Sequence, residues 1–285
     1  MTVSLRAHTG FSLPAIGLGT YRLGGASGAA AVRSAVQNGY QLIDSAFNYE
    51  NEGATGRGLR EAVADGADRE RLVFTSKLPG RHHSFDAALR TIEESLFRSG
   101  LDRIDLYLIH WPNPNVGKYP EAWRALVAAK ERGLVGEIGV SNFLPAHLER
   151  IEADTGVRPV VNQIEVHPYF PQEEALAYHR ERGIIVEGWS PVGRADAVLE
   201  RPITEEPVIT EIAAAHGISP TQAVLAWHVA RGVVPLPKSQ DPQRQRQNLA
   251  AAEIVLEADE VAAITALGRP DGRLADQDPA HHEEF

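Results

Sequence analysis

Residues 101–141, LDRIDLYLIHWPNPNVGKYPEAWRALVAAKERGLVGEIGVS, decide the fold. The run Ile104–His110 is apolar and short enough to be a buried strand. In Tyr119–Arg132 the residues Trp123, Leu126, Val127 and Lys130 fall at helical spacing, with the Lys130 stem at the edge of the stripe. Gly133 supplies the left-handed residue that ends a helix. Val135–Ser141 then reads as the next strand.

The same unit recurs in both directions. Strands are predicted at Gln41–Asp44, Leu72–Lys77, Ile104–His110, Val135–Ser141, Val160–Val166, Ile184–Ser190, Val233–Lys238 and Glu253–Leu256. Gly39, Gly100, Gly133, Gly156, Gly183, Gly232 and Gly268 close the helical patterns. Strand, helix, glycine and strand, repeated eight times with no break in composition, predict one α/β domain over residues 1–285. The expected architecture is a single (β/α)8 TIM barrel. A doubly wound sheet shares the local alternation and is the competing architecture. Val3–Leu13 reads as an N-terminal β-hairpin turning at His8–Gly10 and covering one end of the barrel. Pro191–Ser219 reads as a long connection, a candidate mobile loop over a ligand. The stretch after Gly268 reads as irregular.

Composition narrows the function. The chain has 285 residues, 43% hydrophobic and 23% charged, which is an ordinary globular balance. A net charge of −10 provides no general positive field for a nucleic-acid backbone. Zero cysteines exclude disulfides, thiolate metal sites and a cysteine nucleophile. No apolar run reaches membrane-spanning length, and the first residues lack the pattern of a signal peptide. The expectation is a cytoplasmic monomer acting on a small molecule. His82–His83 and His281–His282 read as exposed loop residues, and no metal is expected. Gly17, Gly19 and Gly24 do not fit a dinucleotide fingerprint and read as turn glycines.

Barrel chemistry occurs where strands end at their carboxyl termini. The predicted strands end in Asp44, Lys77, His110, Ser141–Asn142, Gln163, Trp189–Ser190 and Lys238–Ser239. So many polar groups ending apolar strands would cost free energy unless they shared a pocket. Tyr49 lies on the loop after Asp44. A phenol is too weak an acid at neutral pH, and an ammonium beside it lowers its pKa. Lys77 supplies that ammonium, Asp44 holds Lys77, and His110 donates a hydrogen bond to a substrate oxygen. Such a group protonates a carbonyl but has no electrons to give, so it needs a hydride donor.

The segments GLGTYRLG (17–24), IDSAFNYENE (43–52), FTSKL (74–78), DLYLIHWP (105–112), GVSNF (139–143), NQIEVHP (162–168) and PLPKSQDPQRQRQN (235–248) resemble the aldo-keto reductase superfamily. They occur in the family's order over nearly the whole chain, and they look most like bacterial members of the 2,5-diketo-D-gluconic acid reductase type. The resemblance implies a catalytic tetrad of Asp44, Tyr49, Lys77 and His110. It implies that Trp189 stacks on a nicotinamide whose carboxamide is held by Ser141, Asn142 and Gln163. Gly19, Thr20, Tyr21 and Ser190 complete the cofactor side. Lys238, Ser239, Arg244 and Asn248 match the adenosine and 2′-phosphate site, which favours NADPH over NADH. Tyr21, Phe47 and Trp111 would line the substrate pocket.

Two residues depart from the pattern. Asp241 stands near the expected 2′-phosphate and would soften the NADPH preference. Pro79 replaces an aromatic that some relatives carry, which implies a more open pocket. The expected activity is reduction of aldehydes or ketones, among them keto sugars and small dicarbonyls. The alternatives are a nicotinamide-binding sensor with little turnover, and a cofactor-free barrel lyase or isomerase.

Overall fold

The computed structural model describes residues 4–193 and 201–285. Two short strands, β1 (Ser4–Arg6) and β2 (Ser12–Pro14), form an antiparallel hairpin with Leu5 opposite Leu13. Eight parallel strands follow: β3 (Leu18–Gly19), β4 (Leu42–Asp44), β5 (Val73–Leu78), β6 (Ile104–Ile109), β7 (Val135–Ser141), β8 (Val161–Glu165), β9 (Ile185–Trp189) and β10 (Val233–Pro235). Each pairs with the next in chain order. The first and last are joined as well: the Gly17 N–H donates to Pro235 O and the Gly19 N–H to Pro237 O, both at 3.1 Å. That closure settles the architecture as a barrel and removes the doubly wound alternative.

The closing strand is not the one expected. Glu253–Leu256 is a short turn of helix followed by irregular chain, with Val255 77% exposed. The eighth staff of the barrel is Leu18–Gly19, too short to carry a periodic signal of its own. A Cβ on Gly19 would lie 2.6 Å from the carbonyl oxygen of Leu236, so only glycine permits this approach.

Helices α1 (Gly25–Gln37), α2 (Glu52–Ala64), α3 (Phe85–Ser99), α4 (Tyr119–Glu131), α5 (Pro145–Thr155) and α6 (Glu173–Arg182) connect the strands through β9. The predicted long connection before residue 220 contains a helix, α7 (Pro207–His216), which starts on Pro207. Its first part, residues 194–200, lies outside the described residues. Then come α8 (Pro220–Ala230), α9 (Pro242–Ala250) and α10 (Ala258–Thr265). Gly100 and Gly183 end α3 and α6 at φ +64°, as the sequence predicts. Gly268 is an exception: it has no positive φ, and a Cβ there would meet the Pro171 ring at 2.7 Å.

Two apolar layers flank the sheet. Outside it, Phe74, Tyr107, Ile109, Trp123 and Leu126 are buried beneath the helices. Trp123 is core, and its indole N–H reaches Thr155 and Val157. Inside, Leu42, Leu106, Val161, Ile185 and Val234 pack with Ala7 and Leu13 of the hairpin, which plugs that end. Two residues further along these strands the alternation returns to the interior. There it brings Asp44, Gln163 and Glu187, joined by Lys77 of β5. The interior thus changes from hydrocarbon to a polar layer as it approaches the mouth.

Candidate active site

Asp44, Lys77 and Gln163 end or nearly end their strands, and all are buried. The Lys77 ammonium donates to Asp44 Oδ1 at 2.6 Å and to Ser45 O at 2.7 Å. It also lies 5.0 Å from the centre of the Tyr49 ring. Tyr49 is placed by a short turn, Phe47–Tyr49, which Glu50 ends at φ +53°. Asn51 holds this loop against the first strand: it donates to Thr20 O and Leu23 O and accepts from Ser45 Oγ. The His110 ring meets the Tyr49 ring edge-on at 5.8 Å, and Tyr21 meets it from another side at 5.1 Å. The four residues named from the sequence therefore converge.

One expectation is corrected. Lys77 does pull the phenol of Tyr49 toward ionisation, by charge and by a hydrogen bond. Burial outweighs that pull, assisted by the charges of Asp44 and Glu284, and the phenol is pushed up to about 12. The group is thus loaded with its proton at neutral pH. Lys77 is itself raised: burial opposes its charge, but Asp44 foremost, with Tyr49 and Glu187, outweighs burial.

Residues 281–284 fold over the mouth, an arrangement no sequence feature announced. Glu284 Oε1 lies 2.8 Å from His110 Nδ1, set off the line of the ring N–H. The same carboxylate accepts from Asn48 Nδ2 at 2.8 Å and from the Gly80 N–H at 3.2 Å. Asn113 grips the backbone of Glu284 at both its N–H and its carbonyl. Burial raises the Glu284 carboxyl, but His110 first, then Asn48 and Gly80, hold it down to about 2. The His282 ring packs on Trp111 at 4.3 Å. Residues 281–284 thus reach Gly80, the neighbour of Pro79 in the chain.

Other predicted positions divide. Phe47 is 7% exposed, and its ring is engaged by Arg98 at 3.9 Å and by His82. His83, expected on the surface, is buried with neither ring nitrogen bonded, and burial lowers it to about 4. No cluster suited to a metal occurs among the described residues.

The profile of the aldo/keto reductase family matches residues 15–269. The chain belongs to that family. This aldo/keto reductase family member is 49% identical over 284 residues to 2,5-diketo-D-gluconic acid reductase B of Corynebacterium sp. (strain SHS752001), covering 100% of this chain and 98% of that protein. It superposes on a crystal structure of a Gox0644 mutant in complex with NADPH with a TM-score of 0.90, at 38% identity and 99% coverage of both chains. A Bombyx mori aldo-keto reductase in complex with NADP gives a TM-score of 0.90 at 33% identity, over 100% of this chain and 99% of that one.

Within this aldo/keto reductase barrel, the residues matched to a nicotinamide lie together. Trp189 donates its indole N–H to Asn142 Oδ1 at 2.8 Å, and Asn142 Nδ2 donates to His110 O and Ser141 Oγ. Asn142 and Ser190 adopt φ +62° and +50°, a strained backbone of the kind that accumulates at binding sites. Lys238 and Arg244 are exposed and form no ion pair among the described residues, while Ser239 and Asn248 are buried beside them. Two unpaired cations on one loop and helix start suit a dianion. Asp241 caps α9, accepting from the N–H groups of Gln243 at 2.7 Å and Arg244 at 3.0 Å. Those bonds, Arg244 foremost, lower its pKa.

Glu187 is not among the site residues named from the sequence. The structure joins it to the site through Gln163, whose Nε2 donates to Asp44 Oδ1 at 2.9 Å and Glu187 Oε2 at 2.8 Å. Its only signal was a charged residue between Val186 and Gly188 in an otherwise apolar strand.

Proposed function

We propose that this protein reduces aldehyde and ketone carbonyls, among them keto sugars and small dicarbonyls, to alcohols with NADPH. NADPH, when bound, supplies the hydride. Trp189 would face its nicotinamide, Ser141, Asn142 and Gln163 its carboxamide, and Gly19, Thr20, Tyr21 and Ser190 the adjoining cofactor surface. Lys238, Ser239, Arg244 and Asn248 would take the adenosine and 2′-phosphate. Tyr49 holds its proton at neutral pH and gives it to the developing alkoxide oxygen. Lys77 stabilises the phenolate that remains, and Asp44 keeps Lys77 cationic and in place. His110 orients the carbonyl oxygen.

The observation that carries this reading is the buried Lys77–Asp44 pair at 2.6 Å set against the Tyr49 ring. A pair without an acid to tune would be an expensive way to fill a barrel. The relatives named above support the reaction class and the cofactor. The test follows nicotinamide absorbance with a panel of small carbonyls. Tyr49→Phe should lower turnover by about 10²–10⁴-fold while NADPH binding persists. Near-normal turnover in that variant refutes the proton role. Binding with no turnover on any carbonyl favours the sensor.

A further inference from the structure

Two carboxyl groups inside the barrel share a single amide. Gln163 Nε2 donates to Asp44 Oδ1 and to Glu187 Oε2, at 2.9 Å and 2.8 Å. Glu187 has no exposed surface, and its other oxygen, Oε1, has no hydrogen-bond partner. The charged groups facing it are Asp44 from β4 and Lys77 from β5. The remaining interior neighbours supplied by β6 and β10 are the apolar Leu106, Leu108, Val234 and Leu236. One cation thus serves two carboxyls, and Lys77 is bonded to Asp44. Burying a second, uncompensated carboxylate would be costly. Asp44 therefore carries the charge and Glu187 a proton, with burial and the charge of Asp44 pushing Glu187 up to about 8.

Glu187 lies on β9 two positions before Trp189, on the same interior side, roughly 7 Å along the strand. The ring stacked on Trp189 in the proposed function, on which this inference rests, is a cation when oxidised and neutral when reduced. We infer that Glu187 is a proton-linked counter-charge for the nicotinamide, releasing its proton when the oxidised ring occupies the pocket and holding it when the reduced ring does. The proton passes to solvent, and no covalent bond of the cofactor changes in this binding step. Over such a distance one charge acting on another is worth about a fiftyfold change in affinity at an effective dielectric of about 20.

The test is calorimetric titration of NADP⁺ and NADPH into the full chain, between about pH 7.5 and 9, in two buffers of different ionisation enthalpy. The wild type should release a fraction of a proton on binding NADP⁺ but not NADPH. Its NADP⁺ affinity should rise about threefold relative to NADPH across that range, because part of the effect is already expressed at its lower end. In Glu187→Gln, an isosteric change, the release and the pH dependence should vanish while both nucleotides still bind. Equal proton release in the variant, or none in the wild type, overturns the inference and leaves the cofactor reading standing. Failure of both nucleotides to bind the wild type removes that reading and this inference together. If the variant does not fold, infrared difference spectra of the wild type decide. The carbonyl band of a protonated carboxyl should fade when NADP⁺ binds, and an unchanged band refutes the proposal.

Discussion

Glu284 places a carboxylate oxygen 2.8 Å from Nδ1 of His110, and Asn113 anchors the Glu284 backbone by two further bonds. His110 thus has an anionic neighbour drawn from a segment far away in sequence. Glu284→Gln, which keeps the shape and deletes the charge, should lower kcat for carbonyl reduction about tenfold, the worth of one charged contact. Asn113→Ala should produce a similar fall by loosening the same segment. Unchanged kcat in both variants would show that the contact plays no part in turnover.

Barrel closure rests on a contact that tolerates no side chain. Gly19→Ala would bring a methyl carbon to 2.6 Å from Leu236 O, against backbone that has nowhere to retreat. The expected loss is about 1–3 kcal/mol in unfolding free energy, read from the midpoint of a urea transition. A midpoint equal to that of the wild type would mean that the last strand moves freely.

Two carboxyls should tilt the pH dependence of stability in opposite senses. Glu187 is raised from 4.5 to about 8, so the folded chain binds the extra proton between those values and stability falls as pH rises through them. Glu284 is lowered from 4.5 to about 2, so its contribution is present above 4.5 and is lost as pH falls toward 2. Denaturation curves from acid to mildly alkaline pH should therefore show Glu187→Gln flattening the decline between 4.5 and about 8, and Glu284→Gln the loss below 4.5. The reverse assignment would contradict both charge states.

Asp241 should have two separable effects. Asp241→Asn keeps a capping side chain and removes the charge, so NADPH should bind more tightly and NADH unchanged. Asp241→Ala also loses the cap of α9, which costs about 0.5–2 kcal/mol of stability. Fluorescence titration with both nucleotides, beside a melting curve, distinguishes the two. No change in the NADPH-to-NADH ratio in the Asn variant would place the carboxylate away from the 2′-phosphate.

The sequence revealed the strands that end in chemistry, because Asp44, Lys77 and His110 interrupt apolar runs that packing alone would not interrupt. It concealed Leu18–Gly19, because two residues carry no period and their strand character comes from neighbours: β4 pairs with them on one side, and the chain at Pro235–Pro237, more than two hundred residues on, accepts from Gly17 and Gly19 on the other. It misled at Glu253–Leu256, where an apolar run mimics a strand that no neighbour pairs. Helix α7 was legible: Val208, Ile209, Ile212 and Ala213 fall at helical spacing behind Pro207, a signal lost in reading the segment as one long connection. Glu187 became visible only when barrel closure showed which face of β9 turns inward. Glu284 sits in a polar, aperiodic stretch, and its contact with His110 is purely tertiary.

The carboxylate of Asp241 already occupies the first amides of α9, the groups that would otherwise attract an anion without a mobile side chain. Any phosphate arriving there must rely on Lys238 and Arg244, which stand in solvent. Attraction of that kind is screened by dissolved ions, so nucleotide affinity in this barrel should weaken steeply as ionic strength rises toward physiological values. The surrounding electrolyte thereby becomes a control on how much of the enzyme is loaded.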